Sequence, residues 1–171
     1  MLIRDAAEID LEAITEIYNE VLETSTAIYS DIPVTVADRR NWWRTRRDQG
    51  YPVLVAHDEP QGVVGFASFG DFRAWPGYRR TVEHTVHVHP AWRGRGVGSL
   101  LVTELISRAR GAGKHVMLGA VDAENSPSLR FHERLGFKPV AHFREIGFKF
   151  GRYLDLIFLQ YWLTPPSRSP G

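Results

Sequence analysis

The sequence predicts an α/β fold in one domain: a mixed central sheet of about seven strands flanked by about four helices. Three observations predict it. Short apolar or alternating stretches rich in valine, isoleucine and phenylalanine read as strands, and longer stretches with apolar residues at helical spacing read as helices. Their order, β-α-α-β-β-β-α-β-α-β-β, mixes hairpins with crossovers. In the middle of the chain a glycine-rich run, Arg93-Gly-Arg-Gly-Val-Gly98, links a β-branched strand to an amphipathic helix.

Leu2 and Ile3 start a short first strand. Asp10 is a candidate helix cap, and Leu11, Ile14, Tyr18 and Val21 follow at helical spacing to about Glu23. A loop with Tyr29 and Pro33 leads to Thr35, which can cap a helix over 36–49 that Gly50 ends. Strands are expected over 53–56 and 63–69 around a turn near Gly62. An aromatic and arginine loop, 72–80, precedes the alternating β-branched strand 81–89. The helix over 97–112 carries Val97, Leu101 and Leu105 in one row and Val102, Ile106 and Ala109 in another. The uninterrupted apolar run 116–121 suits a strand covered on both faces. A helix over 125–135 stops at Gly136, and strands over 137–143 and 154–163 complete the domain. Residues 1–163 form that domain, and the proline- and serine-rich 164–171 is expected to be a flexible tail.

With 171 residues and 43% hydrophobic content the chain can bury a sizeable core. Its net charge of +1 gives no global attraction to nucleic acid or an anionic membrane. It has no cysteine, so disulfides, thiolate nucleophiles and cysteine metal sites are excluded. The first ten residues are charged and lack an apolar core of the secretory type, and no run is long enough to span a bilayer. A cytoplasmic location is expected.

Alternate glycines let a backbone turn sharply and bring its N–H groups close to a ligand, and a helix N-terminus favours anions. The run at 93–98 therefore suggests a pyrophosphate cradle. A dinucleotide fingerprint requires glycine at the sixth position, but counting from Gly94 that position is Ser99 and from Gly96 it is Leu101. A nucleoside-triphosphate loop requires Gly-Lys followed by serine or threonine, and Gly113-Lys114 is followed by His115.

The remaining pattern, Arg93-x-x-Gly96-x-Gly98 between strand and helix, resembles the GNAT superfamily of N-acetyltransferases. A second segment, Asn125-Ser-Pro-Ser-Leu-Arg-Phe-His-Glu-Arg-Leu-Gly-Phe137, is similar to the other part of that superfamily's coenzyme A site. Within the superfamily, Glu16-Ile-Tyr-Asn19, Ala67–Arg73, Thr81–Pro90 and Gly147-Phe-Lys-Phe-Gly151 resemble the acetyltransferases of phosphinothricin and methionine sulfoximine. The resemblance implies an acetyl-CoA-dependent N-acetyltransferase acting on the α-amino group of a small amino acid or analogue, assembled as a homodimer. It implies that Arg93, Gly94, Arg95, Gly96, Val97, Gly98 and Ser99 hold the pyrophosphate, that Val86, His87 and Val88 line the pantetheine arm, and that Asn125 and Ser128 contribute from the second segment. It places Tyr29, Phe72, Arg73, Ala74, Trp75, Arg80, Glu83, His84 and Thr85 at the acceptor.

Acetyl transfer has two proton problems. The amine arrives as ammonium, and the thiolate leaves better with a proton. Glu83, on the strand before the glycine run, is the candidate base. Burial between Val82 and Val86 would raise its pKa toward usefulness, whereas an ion pair with Arg79 or Arg80 would make it structural. His132 stands where many superfamily members have tyrosine and is the candidate acid; Asn125, Ser128 and His132 share one helix face. A backbone N–H on the strand before the glycine run is expected to stabilise the oxyanion. Arginines of the 72–80 loop can bind carboxylate or phosphinate oxygens, and its aromatics can exclude water.

His87 and His89 share a strand face opposite to His84, a poor arrangement for zinc, so no metal is expected. The arginines of the second helix surround Trp42 and Trp43 rather than forming a stripe, which reads as a solvated face and not a nucleic-acid surface. Two rivals remain: acetylation of a protein N-terminus or polyamine, and a non-catalytic acyl-CoA sensor. The arginine loop disfavours a polyamine, and Glu83 disfavours a sensor.

Overall fold

The computed structural model describes residues 1–167. Its elements are β1 Leu2–Asp5, α1 Leu11–Thr24, α2 Val36–Asp48, β2 Val53–Asp58, β3 Gly62–Asp71, β4 Thr81–Val88, α3 Val97–Gly111, β5 Val116–Asp122, α4 Ser126–Arg134, β6 Lys138–Lys149 and β7 Arg152–Trp162, with short 3-10 turns between some of them. This is the order the hydrophobic pattern predicts. The strands form one 7-stranded mixed sheet in the order β1-β2-β3-β4-β5-β7-β6. All neighbours are antiparallel except β4 and β5.

Strand alternation divides the core into two layers. On one face Phe66 packs with Leu11, Ile14 and Ile17 of α1 and Trp43 of α2. On the other, Ala67, Phe69, Val82 and Met117 pack with Leu101 and Leu105 of α3 and with Phe137 after α4. On β4, Glu83 pairs with Gly70 and His87 with Phe66, which puts both side chains on the α1–α2 face. His84 alternates to the face of α3 and α4.

Three local expectations need correction. Asp10 does not cap α1: it accepts from the Ala7 N–H at 2.7 Å and pairs with Arg4 at 2.6 Å, closing the turn before the helix. Thr35 does cap α2, in a reciprocal box with Asp38. The last two strands form one long hairpin reaching Lys149 and Arg152, beyond the expected 137–143 and 154–163. Hydrophobic alternation fails there because the register shifts between Phe143 and Gly147, with Glu145 at φ 52°. Phe150 and Gly151, at φ 51° and 73°, suit a type I′ turn. The expected tail does not begin at Thr164 as a free segment, since its hydroxyl bonds the His115 ring. Residues 168–171 lie outside the described part. Among the described residues no helix is long and apolar enough to cross a membrane.

Candidate active site

β4 and β5 run side by side only from Thr81–Val116 to His84–Gly119. Beyond that point they separate, and β4 has no strand partner on that edge. The gap is a cleft bounded by Glu83 to His87 of β4, Gly119 to Asp122 of β5, Ala27 and Ile28 of the α1–α2 loop, and Asn125, Ser128 and His132 near α4. Val86 and Ser128 also line an adjoining pocket that runs to Gly94, Gly96, Gly98 and Ser99. A long ligand could thus lie along the free edge of β4 with one end at the glycine turn and the other at Glu83.

The glycine turn is shaped by conformation. Gly94 and Gly96 adopt φ 74° and 82°, where residues with a Cβ are strained. Gly96 is the N-cap of α3 and supplies no side-chain acceptor, so the first-turn N–H groups are available to an anion. Gly98 differs: a Cβ there would meet the Phe131 ring at 3.3 Å, so it serves close packing of α3 on α4. Arg95 lies over the Trp92 ring, 5.0 Å from its centre. Arg93 donates to the Val88 carbonyl at 3.1 Å and pairs with Glu20 of α1 at 2.9 Å. Asn125 caps α4, accepting from the Ser128 N–H at 3.1 Å. Of the expected pantetheine residues, Val86 and Val88 line the pocket, whereas the His87 side chain turns toward Tyr18 and Phe66. An uncapped helix start, a left-handed glycine turn and an unpaired strand edge fit the pyrophosphate and amide groups of coenzyme A.

Glu83 lies in the cleft and has no ion pair among the described residues; neither Arg79 nor Arg80 reaches it. Burial pushes its carboxyl above the ordinary carboxylate range. On the other face His132 and His84 are 4% and 5% exposed, with their Nε2 atoms 3.2 Å apart. His132 Nδ1 lies 2.8 Å from the Ser128 carbonyl, which can only accept, so Nδ1 carries the proton. Its Nε2 then accepts from His84, leaving His84 Nδ1 buried without a partner. Burial lowers the pKa of both rings. Gly119 makes room for the pair: a Cβ there would sit 2.9 Å from His84 Nε2. A neutral ring whose only N–H is engaged by a carbonyl is poorly set to donate a proton, in contrast to the acid expected at His132.

The other acceptor candidates scatter. Thr85 lines the cleft and His84 borders it. Tyr29 does not line it: its hydroxyl donates to the Asp155 carbonyl at 2.7 Å, and its ring fills the notch left by Gly147. Phe72 packs against Phe158, and the Arg73 guanidinium lies over the Phe72 and Tyr78 rings. Ala74, Trp75 and Arg80 are exposed, with Trp75 74% accessible. Within one chain, none of these loop residues is among those that line the cleft. The cleft walls that the sequence does not point to are Tyr18, Ala27, Ile28 and the stretch Gly119–Asp122 of β5. Small and apolar residues of an irregular loop carry no sequence signal, and Gly119–Asp122 end a strand that reads as ordinary buried core. No group of three potential metal ligands occurs among the described residues.

Residues 12–137 match the family described as Acetyltransferase (GNAT) family. The chain is 46% identical over 168 residues to an L-methionine sulfoximine/L-methionine sulfone acetyltransferase of Pseudomonas aeruginosa, covering 98% of each chain. The structure of yncA from Salmonella typhimurium with its cofactor acetyl-CoA superposes with a TM-score of 0.94 at 45% identity, covering 99% of this chain and 98% of that one. A GNAT superfamily phosphinothricin acetyltransferase from Sinorhizobium meliloti, in complex with acetyl-CoA, gives a TM-score of 0.92 at 35% identity over 98% and 94%.

Proposed function

Because the chain belongs to the Acetyltransferase (GNAT) family and is an acetyl-CoA-dependent N-acetyltransferase, we propose that its acceptor is the α-amino group of a small amino acid or analogue of the methionine sulfoximine, methionine sulfone or phosphinothricin type. The observation that carries the reading is Glu83: a desolvated carboxylate without a charged partner, where β4 and β5 part. The names of the relatives supply the substrate class.

Acetyl-CoA supplies the thioester. The Gly94–Ser99 backbone and the start of α3 hold its pyrophosphate, Val86–Val88 hold the pantetheine arm through the free edge of β4, and Asn125 with Ser128 close the α4 side. Glu83 takes a proton from the ammonium, directly or through one water, so that the free amine can attack the acetyl carbon. The C–N bond forms, the attacking nitrogen sheds its second proton to water, and the C–S bond breaks with its electron pair leaving on sulfur; Glu83 then returns its proton to solvent. A thiol titrates at about 8.5, so a thiolate released near neutral pH takes a proton from water. We assign His132 the role of holding His84 and the cleft floor, not that of an obligatory acid. A polarising backbone N–H of β4 completes the reading.

A homodimer belongs to the same proposal. Ile146, Phe148, Phe150 and Tyr153 of the last hairpin are each more than half exposed, as is Trp75, and a second copy of the chain would cover such side chains. A cytoplasmic location fits a cysteine-free chain that draws on acetyl-CoA. The test is thiol release from acetyl-CoA with methionine sulfoximine, methionine sulfone, phosphinothricin and ordinary amino acids. Turnover with the first three is expected, and indifference to all of them would refute the acceptor class. Equilibrium ultracentrifugation checks the dimer.

A further inference from the structure

We infer that Lys149 is a positioning residue for the acceptor; this rests on the acceptor reading of the cleft given above. The stretch after α1 supplies Ala27 and Ile28 to the wall facing Glu83. It has no regular structure to hold it. It is held from the far end of the chain instead.

Lys149, the last residue of β6, is 3% exposed. Its ammonium donates to the Leu22 carbonyl, to the Ser25 carbonyl at 2.7 Å and to the Ile28 carbonyl at 2.8 Å. An ammonium has three N–H donors and no acceptor, so these carbonyls satisfy it completely. Leu22 lies in the last turn of α1, where carbonyls lack helical partners and the dipole end is negative. Lys149 is thus a C-terminal cap delivered in trans. The Phe150 ring covers the ammonium from 4.7 Å.

Two more bonds fasten the same stretch. The Tyr29 hydroxyl donates to Asp155 of β7, and the Thr26 hydroxyl bonds Asp122 at the end of β5. Only the lysine reaches three backbone points at once. Arginine presents a planar fork that cannot converge on three carbonyls around one atom. Methionine fills similar space but leaves the Leu22 oxygen without its donor, which is costly in a buried place. The glycine–lysine–glycine pattern at 147–151 therefore has a structural meaning: a notch for Tyr29, a ligand for three carbonyls, and a turn that places it.

The test measures thiol release for Lys149→Met against varied methionine sulfone and, separately, against varied acetyl-CoA, with amide hydrogen exchange across 22–31. The acceptor KM is expected to rise about tenfold, an effect of one strong contact, while the acetyl-CoA KM stays as in the wild type. Exchange across 22–31 should accelerate while α3 keeps its protection. Unchanged exchange, or faster exchange with an unchanged acceptor KM, overturns the inference. Failure of the acceptor reading would show itself differently, as no thiol release in the wild type with any α-amino acceptor. Should Lys149→Met not fold, Lys149→Arg keeps the charge at the helix end; wild-type acceptor KM and exchange in that variant would equally overturn the inference.

Discussion

Along the proposed cofactor side of the cleft, the lining comes from the glycine run Gly94–Ser99, the free edge of β4 at Val86 and Val88, and the start of α4. Along the proposed acceptor side, the walls come from the α1–α2 loop, β4 and β5, and the loop is fastened at Ile28 and Tyr29 to Lys149 of β6 and Asp155 of β7, 121 and 126 residues away in sequence. The first side is made of backbone conformation, and its geometry is set locally. The second is made of side chains brought together by tertiary contacts. A change on the first side should therefore alter cofactor affinity alone, and a change on the second should alter acceptor handling alone.

The largest expected effect is at the junction of the two sides. Glu83→Gln removes the proposed base while keeping the size of the side chain. Turnover should fall by about 10²–10⁴-fold, the usual worth of general base catalysis, with little change in acetyl-CoA affinity. On the cofactor side, Gly96→Ala forces a Cβ into a left-handed turn at φ 82°. The strain, about 1–2 kcal/mol, should raise the acetyl-CoA KM on the order of tenfold and leave the acceptor KM unchanged. Gly50→Ala, at φ 73° and remote from the cleft, is the control: it should lower the melting temperature and leave both KM values alone.

A third change probes the floor under both sides. Gly119→Ala would put a methyl group against the His84–His132 pair. Overpacking of this kind costs about 1–3 kcal/mol, so the melting temperature should drop by several degrees. The smallest effect is on stability against pH. His84, His87 and His132 all have folded-state pKa values below the ordinary histidine value, mainly through burial, with His87 pulled down to about 4. The unfolded chain therefore binds more protons than the folded one in this range. The stability is fully present above about pH 6.5 and is lost as pH falls. Melting curves between about pH 7 and pH 5 should show the decline, and His87→Gln should make it shallower.

The same contrast explains what could be inferred from the residues alone. The order of elements, the mixed sheet and the glycine turn follow from periodicity, capping and φ requirements, all local properties. So do Thr35 as a cap and Glu83 as a strand carboxylate, which is half-buried in the structure. The long final hairpin escaped because a register shift and a left-handed Glu145 break the alternation on which strand prediction rests. A loop aromatic such as Tyr29 carries no sign of which surface it meets; Gly147 and the Asp155 carbonyl decide that. Ala27 and Ile28 carry no sign in the sequence because their loop is held at the cleft by tertiary bonds, among them that of Lys149 to the Ile28 carbonyl. The proton on His132 depends on the Ser128 carbonyl and on His84 across the sheet, a relation that residue spacing does not contain.

The central claim is that Glu83 is the base that frees the amine. It is tested most directly by the pH dependence of kcat/KM for methionine sulfone at saturating acetyl-CoA, in the wild type and in Glu83→Gln. The wild type should lose activity on the acid side through a group that titrates above the ordinary carboxylate value, because burial raises Glu83. That limb should vanish in Glu83→Gln, leaving a low rate governed only by ionisation of the amine itself. An unchanged acid limb with near-wild-type turnover in the variant would contradict the claim.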